Sequence, residues 1–465
     1  MTDRGAPEAG TANRGGGLTL GIAGLAALVI YLDTTILFVA FPDISRTFGE
    51  SSTSTLSWVL NAYTITFAAL LVPAGKFADR LGHRMAFLVG SATFTIASMG
   101  CGFAPSAGVL IGFRIFQGAG SAILIPASLA LVMAAFPREK LPQVIAIWGA
   151  IGALSAALGP SLGALIIDAF GWRWAFYLNL PVGIVTITAG LKYLTEVKNP
   201  EVRIPSLVGV VLIASAAGLL LFGVVESDNV GWLSGQTVLM VLAGLALLGV
   251  FVAHQRWTDA PTLDLELFAL RNFRWGNLAM FAFSTAFSAM FFALILFPVR
   301  AWDWSILKAG FGVAPGALLA AVLAPKFGKL AGQVGQRRLV MLGGLIAAVS
   351  GLYRVIFLTA EPDYLLDFGI PLVMSGFAIA LVFPQGTSVA AQALPQNRVG
   401  VGGATTQAVR QFGGSFGVAL TIAFLGTATG VADVLAGFER VWRLVVFGGL
   451  ITTACALPLP TRTAA

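Results

Sequence analysis

Four charged side chains fall inside long apolar runs of this chain, and their chemistry asks for an explanation: Asp33, Arg114, Arg354 and Arg410. A carboxylate near the middle of a membrane-crossing helix costs roughly 3 kcal/mol on insertion scales, so it must face a protein interior or a wet cavity and have a partner. Asp33 stands in LTLGIAGLAALVIYLDTTILFVAFP, nearly unbroken apolar sequence from Leu18 to Pro42, and is the leading functional residue. Reversible protonation there would couple a proton to a conformational change. The competing reading is structural, with Asp33 holding helices together through hydrogen bonds, helped by Thr34 and Thr35. At a rise of about 1.5 Å per residue, Asp33 and Arg114 come to similar depth in their helices. An acid and an arginine at one depth relieve each other's desolvation cost, and protonating the acid weakens the pair. A permanent structural ion pair fits the same spacing.

Arg410 lies near mid-depth in VRQFGGSFG, where Gly413, Gly414 and Gly417 allow close helix contact. It reads either as a substrate or gate contact or as packing. Arg354, in GLYRVIFL, stands close to the end of its run and is expected to snorkel to the surface. The segment GALSAALGPSLGALI carries Gly152, Ala156, Gly159 and Gly163 on one smooth helical face. Pro160 frees a backbone carbonyl there, so tight packing with a bend is expected.

The elements that position these residues follow from composition. With 57% hydrophobic and 11% charged residues among 465, and a mean hydropathy of +0.88, the chain cannot present a polar surface to water over most of its area. It is read as an integral membrane protein. The formal charge of +7 then reports topology rather than a nucleic-acid partner. Cys101 and Cys455 sit in or beside apolar runs and form no disulfide framework or metal cluster. Residues 1–17 are expected to be a disordered cytoplasmic tail, and the run after them is too long for a removable signal peptide.

Apolar stretches of helix-spanning length give about fourteen spans, near 18–42, 54–74, 85–104, 107–135, 142–168, 172–194, 206–225, 236–254, 275–299, 305–327, 338–359, 365–388, 400–427 and 440–459. Every second connection is basic, for example Lys76, Arg80 and Arg84, then Arg138 and Lys140, then Arg271 and Arg274, so both termini are expected in the cytoplasm. GKFADRLGHR from Gly75 to Arg84 is echoed by GKLAGQVGQRR from Gly328 to Arg338, which suggests duplicated halves. The halves are placed at 18–200 and 259–465, with two inserted helices in 201–258 between them. The stretch from His254 to Arg274 alternates leucine and acid and is expected to lie along the membrane surface.

No phosphate-binding loop is present, because the Gly-Lys pairs at Gly75 and Gly328 continue as Phe77 and Leu330. The GAGSA run from Gly118 follows no strand, and His83 and His254 have no clustered acids or cysteines around them. The chain is therefore read as a non-enzyme without cofactor or metal, driven by an ion gradient.

These residues resemble the major facilitator superfamily, and within it the fourteen-span drug:proton antiporters. Gly75, Asp79, Arg80, Gly82 and Arg84 match the loop between second and third helices that governs the switch between states in that family. Arg114, Gln117 and Gly118 match the fourth-helix motif whose arginine is tied to proton coupling. Gly152, Gly159, Pro160 and Gly163 are similar to the antiporter motif of the fifth helix. LDTTILFVAFP, WRWAFYLNLPVG from Trp172 and RQFGGSFG from Arg410 resemble subfamily patterns, and together the motifs cover nearly the whole chain. Two positions depart: Phe38 replaces a customary asparagine, and Ala164 replaces the last glycine of the fifth-helix motif.

The resemblance implies an all-α bundle of two six-helix halves plus two extra helices around a central cavity. It implies a plasma (inner) membrane exporter of a small lipophilic compound in exchange for protons. Asp33 and Arg114 would serve coupling, and Thr34, Phe38, Gln117 and Arg410 are candidate cavity residues. Glu226, Asp228, Glu361, Asp363 and Asp367 all fall at span rims, which biases the expected substrates toward neutral or weakly anionic compounds. A lipid translocator or importer on the same fold, and a membrane receptor or assembly protein that moves nothing, are the rival readings.

Overall fold

The computed structural model describes residues 9–137, 140–198, 204–394, 398–426 and 430–460, without the side chains of 9–14, 53, 142, 146, 153, 156, 157, 228, 229, 399 and 431. Ala156 of the small-residue face, Asp228, Arg138 and the first eight residues of the expected tail therefore lie outside what is described.

All secondary structure among the described residues is helical. α1 (Ala9–Thr47), α2 (Thr53–Leu81), α3 (His83–Phe103), α4 (Ala107–Ala135) and α5 (Leu141–Phe170) follow in turn. The short α6 (Trp174–Tyr177) then breaks at Leu178 before α7 (Asn179–Tyr193). α8 (Leu207–Val230) and α9 (Gly235–Trp257) come next. The second set is α10 (Arg271–Ala301), α11 (Ile306–Val334), α12 (Gln336–Phe357), α13 (Ile370–Gln392), α14 (Val399–Leu425) and α15 (Val431–Ala456). α1 begins at Ala9, inside the segment expected as a tail.

Among the described residues, twelve helices are long and apolar enough to cross a membrane, against the fourteen expected. The two long helices outside that count are α5 and α15. α5 contributes two shorter apolar pieces, Gln143–Gly152 and Leu158–Phe170, on either side of side chains that are not described. α15 carries Asp433, Glu439, Arg440 and Arg443 in its first half, and these charges interrupt its apolar run.

Helix ends follow local chemistry. α2, α4, α9 and α11 start on the same face, each behind a serine whose hydroxyl accepts an otherwise orphaned backbone N–H: Ser52, Ser106, Ser234 and Ser305. On the other face, which carries Lys76, Arg84, Arg271 and Arg338 and is called the basic face below, α2 and α11 both end at a glycine. Gly82 (φ 119°) donates its N–H to Ala78 and Gly335 (φ 87°) to Ala331, in matching register. Only glycine takes such a φ without strain. The echo between Gly75–Arg84 and Gly328–Arg338 is thus one turn built twice.

Packing repeats as well. In the first set α1 touches α4, α5 and α7, while α4 and α7 also touch α3 and α4 touches α2. Replacing α1, α2, α3, α4, α5 and α7 by α10, α11, α12, α13, α14 and α15 reproduces every one of those neighbours. The sets meet through α5 with α11 and through α2 with α14, again an exchange-symmetric pair. α8 lies against α2 and α14, with α9 outside it.

Close approaches between the sets gather toward the face opposite the basic one. Phe38 and Phe41 of α1 pack against Phe292 of α10, tilted and edge-on, at 5.4 and 5.2 Å, and Phe38 meets Phe291 at 5.9 Å. Ser161 of α5 donates to the Gly310 carbonyl of α11 at 3.3 Å, and Ser415 of α14 hydrogen-bonds Thr64 of α2. One apolar cluster spans both sets at this end. The stretch expected along the surface forms a 3₁₀ turn, Leu265–Ala269, with Leu267 buried. Arg398 bridges Asp264 and Glu266 there at 3.2 and 3.1 Å, and the hydrogen bond to Glu266, then the Asp264 charge, keep its guanidinium above the usual range.

Candidate functional site

The site is built inside the first set, around Asp33, which is 3% exposed. Its Oδ2 accepts from Arg114 Nη1 at 2.7 Å, and its Oδ1 accepts from Gln117 Nε2 at 2.8 Å and Asn179 Nδ2 at 2.9 Å. Arg114 is 1% exposed and donates through Nε to the Val59 carbonyl at 3.0 Å and through Nη1 to Gln117 Oε1 at 2.6 Å. Its guanidinium lies 4.1 Å over the Tyr63 ring, whose hydroxyl meets Ser121 at 2.9 Å. Ser98 accepts from Gln117 and Asn179 at 3.2 and 2.7 Å and donates to the Phe176 carbonyl at 3.0 Å.

Helical spacing explains the convergence. Arg114, Gln117 and Ser121 share one face of α4, and Val59 and Tyr63 share one face of α2. Asn179 is brought in by the break at Leu178, which restarts the chain as α7 with the amide in its first turn. Five helices, α1, α2, α3, α4 and α7, thus supply one network. A buried pair with its remaining hydrogen bonds satisfied is tolerable, whereas removing one partner strands a charge at about 3–5 kcal/mol. A carboxylate held by an arginine and two side-chain amides can release that arginine when it takes up a proton, and this is the chemistry the arrangement offers.

Of the residues singled out in sequence, Asp33, Arg114 and Gln117 come together. Thr35 does not join them, since its hydroxyl returns to the carbonyls of Tyr31 and Leu32; Thr34 donates to the Ile30 carbonyl and meets the network only through the Tyr63 hydroxyl beside it. Asn179, Ser98 and Tyr63 belong to the network and were not singled out. The signal for Asn179 was there, an amide inside the apolar run WRWAFYLNLPVG.

The small-residue face of α5 lies directly behind Asp33. A Cβ at Gly152 would stand 2.8 Å from the Tyr31 ring, one at Gly163 3.0 Å from Ile36, and one at Gly159 would overlap the Thr35 hydroxyl. Pro160 and Ala164 turn the other way, onto Gly310 of α11. Phe38 sits in the apolar closure rather than beside a polar group.

In the loop after α2, Gly75 packs near Pro126 and Gly82 caps the helix. Asp79 pairs with His83 Nε2 at 3.1 Å, Arg80 is exposed, and Arg84 donates to the Leu191 carbonyl at 2.7 Å. Glu196, another residue not singled out, accepts from the backbone N–H of Arg84 and Met85 at the start of α3, at 2.9 and 3.2 Å.

The two remaining arginines differ. Arg410 is half-buried, donates to Gln407 at 3.2 Å and lies 4.4 Å over Phe383. Arg354 does not snorkel: it is 1% exposed, held by the Ser350 hydroxyl at 2.6 Å and by Ser375, with its guanidinium 5.0 Å from the Trp442 ring. The serines on its own helix and on α13 draw it inward instead of toward the rim. Among the described residues, no group of three His, Cys, Asp or Glu could hold a metal ion.

A family profile described as Major Facilitator Superfamily matches residues 23–418. The chain is 36% identical over 409 residues to the multidrug resistance protein Stp of Mycobacterium tuberculosis (strain CDC 1551 / Oshkosh), covering 87% of this chain and 74% of that one. It is 31% identical over 407 residues to the multidrug export protein EmrB of Escherichia coli (strain K12), covering 85% and 78%. Among solved structures, it resembles a POT family transporter (TM-score 0.68, 14% identity, 96% and 95% covered) and the human organic anion transporter MFSD10 (TM-score 0.63, 17% identity, 94% and 99% covered), which speaks to the fold alone. A twofold-repeated helical bundle with its polar network sunk between helices, matched along most of its length by this profile, is a multi-pass membrane transporter and not an enzyme, and the chain belongs to the Major Facilitator Superfamily.

Proposed function

We propose that this protein is a proton-coupled exporter of small lipophilic compounds, working by alternating access. The observation that carries the reading is the buried Asp33 carboxylate, shared among Arg114 and Gln117 of α4 and Asn179 of α7. Protonation of Asp33 loosens Arg114, and loosened contacts among α1, α4 and α7 change the cost of moving one half against the other. The names of the relatives, a multidrug resistance protein and a multidrug export protein, support outward drug movement.

In this proposal all fourteen long helices cross the membrane, as halves 18–200 and 259–465 around an inserted pair in 201–258. The basic face is cytoplasmic with both termini, by the excess of Lys and Arg there. The aromatic closure around Phe38 then seals the outer end, and the structure is the inward-facing state. The loop containing Gly75, Asp79, Arg80, Gly82 and Arg84 acts in the switch, and the Gly152, Gly159, Pro160 and Gly163 face lets α5 slide on α1 and α11.

Proteoliposomes holding a pH gradient test the reading. Wild-type protein should discharge the gradient when a transported compound is added, and Asp33→Asn should not. Equal proton flux from both proteins, with transport of the compound shown independently, would make Asp33 structural and end the coupling model.

A further inference from the structure

Deep within the described helices stand one acid and three arginines: Asp33, Arg114, Arg354 and Arg410. Asp33 and Arg114 neutralise each other at 2.7 Å. Arg354 is sealed, with serine hydroxyls and an indole face around it. Arg410 is the exception, being only partly buried, with Phe383 of its own set and Tyr31 of the other as neighbours.

Its surroundings are uncommitted. No carboxylate lies within ion-pair distance of Arg410 among the described residues. One guanidinium nitrogen donates to Gln407, and Nε has no partner although it is shielded from solvent. The Phe383 ring of α13 lies under the guanidinium, and the Tyr31 phenol of α1, in the other set, is its electrostatic neighbour. Tyr31, Phe383, Gln407 and Arg410 are all half-buried. Tyr31 also packs on Gly152, so this corner touches the small-residue face of α5.

A cation in a low-dielectric space without a counter-charge attracts an anion strongly, because little water competes. The guanidinium offers a planar fork of donors that fits a carboxylate, and an aromatic face beside it suits a flat apolar body. We infer that Arg410, with Tyr31, Gln407 and Phe383, forms the recognition subsite of the transport cavity, and that it takes lipophilic aromatic carboxylates in preference to neutral or cationic analogues. This rests on the exporter reading for its role in transport, though the binding preference is measurable without it.

The test is equilibrium binding, by fluorescence anisotropy in lipid nanodiscs, of three matched probes: 1-pyrenebutyrate, its methyl ester and a pyrenebutyl trimethylammonium cation. Wild-type protein should bind the carboxylate about tenfold or more tighter than the ester, the range expected for a charge-assisted hydrogen bond, and the cation most weakly. Arg410→Gln should abolish the preference, and Arg410→Lys should keep part of it. A wild-type protein that binds acid and ester equally, prefers the cation, or binds none of the three overturns the subsite, and so does an unchanged ratio in a folded Arg410→Gln. The wild-type ratio decides even if that variant fails to fold. Because no proton gradient enters the measurement, a failed subsite and a failed coupling model give separate results.

Discussion

Asp33 accepts hydrogen bonds from three side chains, Arg114, Gln117 and Asn179, and each should report on it differently. Arg114→Leu leaves the acid without its cation and should cost about 3–5 kcal/mol of stability, read as a fall in melting temperature in detergent. Asn179→Leu removes one neutral donor and should cost less, about 1–3 kcal/mol, while lowering substrate-driven proton flux. If Asn179→Leu matches wild type in both measurements, the amide is a bystander. The residues that sequence made legible here were the charged ones, since a charge in an apolar run has few innocent explanations. Neutral members such as Ser98 and Tyr63 were not, because a lone serine or tyrosine in a span is ordinary and only the fold brings Ser98 of α3 to Asn179 of α7. Arg354 shows the same limit from the other side. Its distance from the helix end pointed to the surface, and two serines on different helices decided otherwise.

At the scale of elements, the contact of α5 with α1 is the most exacting. Gly159 admits no side chain against Thr35, whereas Gly163 leaves just enough room beside Ile36 for a small shift. Gly159→Ala should therefore impair transport and thermal stability more than Gly163→Ala, and the reverse order in a paired assay would show that the helices separate easily. Glu196→Ala should expose the first N–H groups of α3 and weaken the cap at Gly82, at about 1 kcal/mol. Hydrogen exchange at Arg84 and Met85 reads that loss directly. Twelve of the fourteen expected spans are helices long and apolar enough to cross a membrane among the described residues, because twenty-residue apolar runs leave little choice of structure, and α5 and α15 are the two that are not. The break at Leu178 was not, since its neighbours are as apolar as any helix interior and the restart depends on packing against α1 and α3.

For the whole molecule, the facing hydroxyls of Thr64 and Ser415 tie α2 to α14 across the two sets. Cysteines at both positions, in a background lacking Cys101 and Cys455, should form a disulfide on mild oxidation and stop transport, with recovery on reduction. Continued transport by the cross-linked protein would mean that this seam never parts. The repeat seen in sequence at Gly75 and Gly328 extends to the whole neighbour pattern, yet the halves are not chemically equal. The register that pairs Gly82 with Gly335 pairs Cys101, 3.7 Å from Gln117, with Arg354. One half keeps its acid network at that level, and the other holds a cation among serines.

The position of α8 breaks the symmetry in another way. A repeated bundle of this kind has two flanking seams open to the bilayer, α5 with α11 and α2 with α14. α8 lies along the second, with Phe222 against Trp58 at 6.2 Å, and α9 stands outside it. A compound dissolved in the lipid therefore meets a double wall on one side of the protein and a bare seam on the other. In the proposed exporter, lateral traffic between membrane and cavity would be one-sided, with the inserted pair setting which side.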